Sequence, residues 1–595
     1  MTETTDAAQL GDIPEWDLGD LYASPDDEKL KTDLEQADKR AKAFQEKYSG
    51  KLDGLSSAEM GEAIAEYERL SETIAGASSY AELYYAQCVA DPERGRFLQD
   101  VQETVTTIST KILFFTLELN KLDETILVEK LANEQTSRYS PWLRDLRVFR
   151  HHQLSDEIER LLMERDVVGS QAWSRLFDET VADLRFPVAG KELTSTEALH
   201  LLSEKDEATR KEAALAIGAV FEKNIRLFTL IYNTLIKEKE IDDKWRRFAR
   251  PTSGRNLSNQ IEDEVVEALV AAVRDAYPKL SHRYYALKAK WLGKEKLEHW
   301  DRNAPLPEAD DSIIDWKDAQ KIVLDAYRAF SPDMAAIGER FFQGGWIDAP
   351  AKPGKSPGAF AHPTVPTAHP YLLLNYMGKS RDVMTLAHEL GHGVHQHLAS
   401  AQGFLMSQTP LTLAETASVF GEALTFRALL NAEKNKTRRR VLLASKIEDM
   451  INTVVRQTAF YQFERLVHDQ RREGELSAEQ FAKAWLSVQE ESLGPAFHFS
   501  DDYRTFWAYI PHFIHSPFYV YAYAFGDCLV NSLYDVYRKG APNFQTKYLD
   551  MLRAGGTKRH HELLEPFGLD ATEPAFWSRG LAVIVGLIDE LEAMG

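Results

Sequence analysis

The sequence predicts a mainly α-helical protein organised around one histidine-bearing helix. Three observations carry that reading. Apolar residues recur at spacings of three and four over most of the chain, alternating apolar and polar runs are few and short, and residues 385–400, TLAHELGHGVHQHLAS, set four histidines and a glutamate on one helical stretch.

From the N-terminus, helical periodicity covers 56–87, 93–133, 208–240, 261–291, 316–343, 434–475 and 577–593. Extended segments are rare. LRFPVAGKELT (184–194) reads as a hairpin turning at Ala189-Gly190, and 298–306 holds a short extended piece. PYLLLNYMG (370–378), apolar and aromatic between Pro370 and Gly378, is the clearest strand. Loops rich in Pro and Gly fall at 304–312 and 348–370, and a loop of the second length inside a compact domain points to function. The composition shift near 184–196 divides the chain into an N-terminal helical lobe, 1–190, and a domain 191–595 that carries the histidine helix.

The chain has 595 residues, more than one compact core usually holds. It is 44% hydrophobic and 27% charged, as globular proteins are. A formal net charge of −22 argues against nucleic acid or an anionic membrane as partner, but leaves peptides open. Two cysteines, Cys88 and Cys528, make no disulfide framework and fit a reducing compartment. The first residues lack the basic and apolar regions of a secretory signal, and apolar runs such as 581–588 are too short to span a membrane, so the cytoplasm is expected.

In the histidine helix, Leu386, Leu390, Val394 and Leu398 form a buried stripe, widened by Val383 and Ala387. His388 and His392, one turn apart, share the adjoining face, where two imidazoles can reach one Zn²⁺. Glu389, one residue round, is placed to accept a proton from water. Gly391 and Gly393 permit a close neighbour. His395 lies about 10 Å along the axis from His388, too far to share the ion on a straight helix. The longer pattern that recruits a third histidine needs a glycine where His395 stands and a histidine where Leu398 stands. His395 and His397 therefore read as cleft or surface groups. The third ligand is expected from the next helix, 408–430, with Thr409 as its cap and Pro410 its first residue. Glu415 is the preferred ligand, with Glu422 or Ser418 supporting; a capping box between Thr412 and Glu415 is the competing use of that glutamate. Two histidines and a glutamate leave one position open, the mark of a catalytic zinc.

A late stretch, YIPHFIHSPFYVYAYAFG (509–526), concentrates imidazoles and phenols. On a helix Tyr519 and Tyr523 share a face, with His515 a turn earlier, while His512 falls on the entering loop before Pro517 and Tyr521 reads as core. His512, Tyr519 and Tyr523 are suitable donors to a developing oxyanion.

HELGH followed by LAETASVFGE resembles the thimet-oligopeptidase family of zinc peptidases, its oligoendopeptidase F branch above all. IPEWDLGDLY, HPYLLLNYMGKSRDVMTLAHELGH and the late stretch extend the resemblance over nearly the whole chain. It implies a mainly helical, two-lobed body with a deep substrate channel and small β elements beside a gluzincin-type HExxH site. It implies one Zn²⁺ per chain held by His388, His392 and Glu415, with Glu389 as catalytic base, in a peptidase domain spanning 191–595. It implies endopeptidase action on short oligopeptides, with His512, Tyr519 and Tyr523 facing the substrate; Pro517 stands where some relatives carry tyrosine. The strand 371–376 would then pair with the substrate backbone. Two other readings are a zinc carboxypeptidase or dipeptidyl carboxypeptidase, for which no single Arg or Lys declares itself as carboxylate anchor, and a non-catalytic helical peptide-binding protein, which has no use for Glu389.

Overall fold

A computed structural model describes residues 10–166, 168–306, 313–356 and 358–594. The first nine residues, and 307–312 of the loop expected at 304–312, lie outside the described residues. Among the described residues the architecture is mainly α-helical with three small sheets.

The chain forms two compact units, each drawn from three segments. The first comprises Met1–Arg150, Asp311–Ala432 and Tyr537–Leu569; the second comprises His151–Asp310, Glu433–Val536 and Asp570–Gly595. The boundary expected near residue 190 falls inside the second unit. The reason is local: the hairpin Phe186–Val188/Lys191–Leu193 packs on the helix Glu207–Arg246, with Phe186 and Phe221 rings 5.8 Å apart and the Ala189 amide donating to Glu212 at 2.8 Å.

In the first unit, helices Glu28–Tyr48, Ser57–Ala86 and Pro92–Lys121 enclose an apolar cluster centred on Phe44, Ile64 and Phe115. Ser56 and Glu59 form a capping box that starts the second of these. The periodicity over 93–133 resolves into two helices, because Asp123 caps a new one at Glu124–Lys130. Pro332 likewise divides 316–343 into Trp316–Phe330 and Pro332–Gln343.

The expected strand is present as Tyr371–Tyr376. The preceding segment, read as loop, contributes two more strands: Ile347–Pro350 pairs parallel to it and Phe360–His362 antiparallel. Tyr371–Tyr376 is therefore the central strand: Ile347–Pro350 pairs along one side and Phe360–His362 covers Tyr371–Leu373 on the other, so the expectation that 371–376 as a whole pairs with a substrate backbone is overturned. The sheet packs on the histidine helix, Ser380–Ala399. A Cβ at Gly393 would stand 2.6 Å from Phe341 Cζ and 3.3 Å from Leu372 Cδ2.

In the second unit the hairpin turn has φ of 50° at Ala189 and 75° at Gly190, the left-handed pair that suits a two-residue hairpin. The extended piece near 298 is Leu297–Glu298, paired parallel with Phe497–His498. Pro278 divides 261–291. The periodicity over 434–475 becomes Lys436–Ile451, a π turn at Asn452–Arg456, and Gln457–Glu473. Among the described residues no helix is long and apolar enough to cross a membrane. Cys88 and Cys528 are both free thiols.

Candidate metal centre

Val383, Leu386, Ala387, Leu390 and Val394 are fully buried and fix the roll of the histidine helix. That roll turns His388 and His392 to one side, with ring centroids 5.0 Å apart. Tyr327 locks the helix from behind, its hydroxyl donating to the Ala387 carbonyl at 2.5 Å.

The segment carrying Glu415 differs from the continuous helix expected over 408–430. Leu411–Ala414 makes one turn, the chain breaks at Glu415, and Thr416–Ala432 follows. The Glu415 carbonyl accepts from the Val419 amide at 3.1 Å, so Glu415 stands at the start of the longer helix. Free amides and the positive end of the helix dipole favour a carboxylate there. Tyr548 steadies that start by donating to the Thr416 carbonyl at 2.8 Å. Gly391 lets the two helices meet: a Cβ there would lie 2.7 Å from Ser418 Cα, and nearer still to the Ala417 carbonyl oxygen.

The result is a convergence of His388, His392 and Glu415, whose ligand atoms all lie within 4.8 Å of one another. Glu415 Oε2 is 3.3 Å from His388 Nε2 and 3.4 Å from His392 Nε2. A tetrahedral ion with bonds of about 2.0–2.1 Å has ligand-to-ligand edges of about 3.3 Å. The donor set and its spacing thus fit one small divalent ion. The supporting groups are also in place. Glu422 Oε2 lies 3.2 Å from His388 Nδ1, and Ser418 Oγ donates to Glu415 Oε2 at 2.6 Å. That serine bond, with the break at Glu415, replaces the Thr412–Glu415 capping box as the use of this carboxylate.

Three carboxylates surround two imidazoles here. Burial works against a charge on His388, but the carboxylates of Glu415, Glu422 and Glu389 outweigh it and raise its pKa to about 10. Burial would raise Glu415 too, yet both imidazoles hold it well below the usual carboxylate range. The cluster favours positive charge. Glu389 is 7% exposed, and its pKa is raised by burial against the pull of both histidines. That environment suits a group which accepts and returns a proton.

His395 is buried, not a surface group; its Nε2 lies 3.3 Å from Thr409 Oγ1, and burial beside His392 pushes it down to about 4. His397 accepts from Arg340 Nη1 at 2.9 Å. Both line a cavity of about 210 Å³ together with His392, Val365 and Phe404.

The late stretch lies in the second unit and is not one helix. His512–His515 forms a turn, Phe518 has φ of 59°, and the helix begins at Tyr521. Tyr519 is thus on the connecting segment, but the expected group still converges. His512 Nε2 is 3.3 Å from Tyr523 Oη, and the Tyr519 and Tyr523 rings are 5.3 Å apart. All three side chains are half-buried. His515 leaves the group and pairs with Asp178 at 2.8 Å. Tyr521 is fully buried, its hydroxyl accepting from Asn259 Nδ2 at 2.9 Å. The sequence reading missed the roles of Tyr327 and Tyr548; lone tyrosines distant in sequence leave no pattern to read.

The chain matches the model of Peptidase family M3 over residues 326–583 and that of Oligopeptidase F over 118–186. It is 26% identical to the oligoendopeptidase F homolog of Borreliella burgdorferi over 589 residues, 98% of each chain. It is 26% identical to oligopeptidase PepF of Bacillus subtilis over 619 residues, 100% of this chain and 90% of that one. Its fold superposes with a TM-score of 0.87 on a solved chain from Chlamydophila abortus, 22% identical, covering 98% of both chains. The His–His–Glu cluster and these matches define a metallopeptidase. More narrowly, the chain is a metallo-endopeptidase of oligopeptides, related to Peptidase family M3 and its oligoendopeptidase F branch.

Proposed function

We propose that His388, His392 and Glu415 hold one Zn²⁺ per chain, that Glu389 is the catalytic base, and that His512, Tyr519 and Tyr523 face the peptide. The observation that carries the metal assignment is the pair of ligand-to-ligand distances, 3.3 and 3.4 Å, which match a tetrahedral edge. When bound, the ion supplies Lewis acidity toward a water and a peptide carbonyl.

The remaining steps belong to side chains. Glu389 Oε takes the proton from the attacking water and gives it to the leaving amine, and its raised pKa serves both transfers. Glu422 accepts from His388 Nδ1–H, which fixes the tautomer and turns Nε2 toward Glu415. Ser418 Oγ holds the Glu415 carboxylate in rotation. Tyr523 and His512 are donors to the oxyanion of the tetrahedral intermediate. Substrates are short oligopeptides, and nucleic acid and membrane are not partners. A cytoplasmic setting completes the reading, supported by two unpaired cysteines.

Metal analysis of the purified protein tests the assignment. One zinc per chain, removed by a chelator together with activity and restored with it, is expected. Glu415→Ala should lose the metal. A metal content unchanged by that substitution would remove Glu415 from the ligand set.

A further inference from the structure

The π turn at Asn452–Arg456 interrupts an otherwise regular helical run in the second unit. Such turns recur where a side chain must be aimed off the regular helical register. The residue at its end is Arg456. Its guanidinium lies 4.9 Å above the Phe460 ring, and Nη2 reaches Tyr509 Oη at 3.4 Å. Its Nε is buried without a hydrogen-bond partner among the described residues.

Arg302 stands beside it. Burial first, and then the Arg302 charge, press Arg456 below the ordinary guanidinium range. Arg302 faces the phenols of Tyr503, Tyr509 and Tyr285 and hydrogen-bonds Tyr509, and its Nε donates to Asn303 Oδ1 at 3.3 Å. Among the described residues no carboxylate lies within 4.0 Å of either guanidinium. Elsewhere the chain pairs its buried arginines: Arg210 with Asp301 at 2.8 Å, and Arg147 with Glu124 at 3.0 Å. Two adjacent half-buried cations without an anion are costly unless an anion arrives from outside. Arg302, Arg456 and Tyr509 are all half-buried, so solvent reaches the group. It also adjoins the proposed substrate residues: after burial, the Arg456 charge is the main influence lowering the His512 pKa.

We propose that Arg302 and Arg456, with the Tyr509 hydroxyl, receive a carboxylate carried by the peptide. A guanidinium fork matches a carboxylate in two parallel hydrogen bonds, and the half-buried guanidinium groups of Arg302 and Arg456 are such forks. The carboxylate is either the peptide C-terminus or an Asp or Glu side chain. The inference rests on the proposed function, in that the ligand is the peptide substrate.

The test compares three peptides of one sequence: a free acid with one internal glutamate, its C-terminal amide, and a variant with glutamine for that glutamate. Wild-type protein should prefer the carboxylate form in KM by about 10- to 100-fold at one of the two positions. The position that matters names the source. With the C-terminus as source, the cut keeps a fixed distance from that end as the peptide is lengthened at its N-terminus; with a side chain, the cut moves with the glutamate. In Arg456→Gln the KM ratio between carboxylate and neutral peptides should fall toward 1, and Arg456→Lys should restore only part of it. Arginines that only stack on Phe460 and bond Tyr509 would leave the ratio intact. Equal KM for all three peptides in the wild type, or an unchanged ratio in a folded Arg456→Gln, overturns the proposal. The wild-type comparison decides the matter even where a variant does not fold. Calorimetric binding of the same peptides to Glu389→Gln separates this from the catalytic reading. A carboxylate preference there, in a variant that still cleaves, would defeat the base assignment and keep the anion site.

Discussion

The cluster at His388 and the cluster at His512 are built by opposite means and carry opposite charge. The first sets two imidazoles among the carboxylates of Glu389, Glu415 and Glu422, on helices that Gly391 allows to touch. The second sets an imidazole and phenols on a broken backbone, near Arg456. The first has the donor set of a cation site; the second, in the proposed reading, faces an anion. The proposed peptide hydrolysis would use both, since it polarises a carbonyl and then carries negative charge on its oxygen. Substitutions in the two clusters should therefore fail in different ways.

The largest effect expected is from Glu389→Gln. The change keeps shape and removes the base, so zinc content stays at the wild-type level while kcat falls by about 10²–10⁴-fold. Hydrolysis near the wild-type rate with metal bound would show that Glu389 does not carry the proton.

Next comes the second cluster. Tyr523→Phe should lower kcat by about 10²–10³-fold, with little change in metal content or KM, because the hydroxyl acts only once negative charge develops. Tyr521→Phe is the matched control. It removes the same atom from a buried side chain and, with it, the hydroxyl to which Asn259 Nδ2 donates. It should cost about 1–3 kcal/mol of stability and leave kcat within a few-fold. Equal losses of kcat at both positions would erase the distinction between a buried and a substrate-facing tyrosine.

The contrast also explains what the sequence could say. His388, Glu389 and His392 lie within about one turn of one helix, so spacing alone brings them together; the reach of a straight helix sends the third ligand to the next helix, where Glu415 is preferred over Glu422. The break at Glu415 was not legible, because Pro410 and the periodicity both argue for an uninterrupted helix. The two strands in 347–362 were hidden by a Pro/Gly composition that normally marks loops, and with them the central position of Tyr371–Tyr376. The second cluster follows no single helical spacing. Tyr519 converges with Tyr523 through a left-handed Phe518, not through helical spacing. Arg302 and Arg456 are more than a hundred residues apart in sequence. Nothing in either neighbourhood distinguishes them from surface arginines, since what marks them is the lack of a partner.

A smaller effect is expected at the support of the first cluster. Glu422→Ala removes the acceptor at His388 Nδ1 but none of the three ligands. Zinc affinity should weaken by about 10–100-fold, short of the loss expected for Glu415→Ala. A metal titration in which Glu422→Ala is the more damaging change would exchange their roles.

The smallest effect concerns the backbone that shapes the second cluster. Glu464 Oε1 accepts from the Phe518 amide at 2.8 Å, at the left-handed residue between His512 and Tyr523. The side chain is fully buried, and its Oε2 has no partner among the described residues. Burial raises its pKa to about 8, against the pull of the Phe518 amide. The folded state therefore keeps the proton where the unfolded chain, near 4.5, has lost it. Below about pH 4.5 both states are protonated and the group is neutral toward stability. As pH rises from there to about 8, the unfolded state gains by ionising and the fold loses stability, on the order of a few kcal/mol by the upper end. Glu464→Gln keeps the acceptor for Phe518 and removes the titration. Its melting temperature should match the wild type near pH 5 and exceed it by several degrees near pH 8. A difference that does not grow between those two values would show that Glu464 is ionised in the fold, and that the segment bearing Tyr519 is held by a charge and not by a neutral carboxyl.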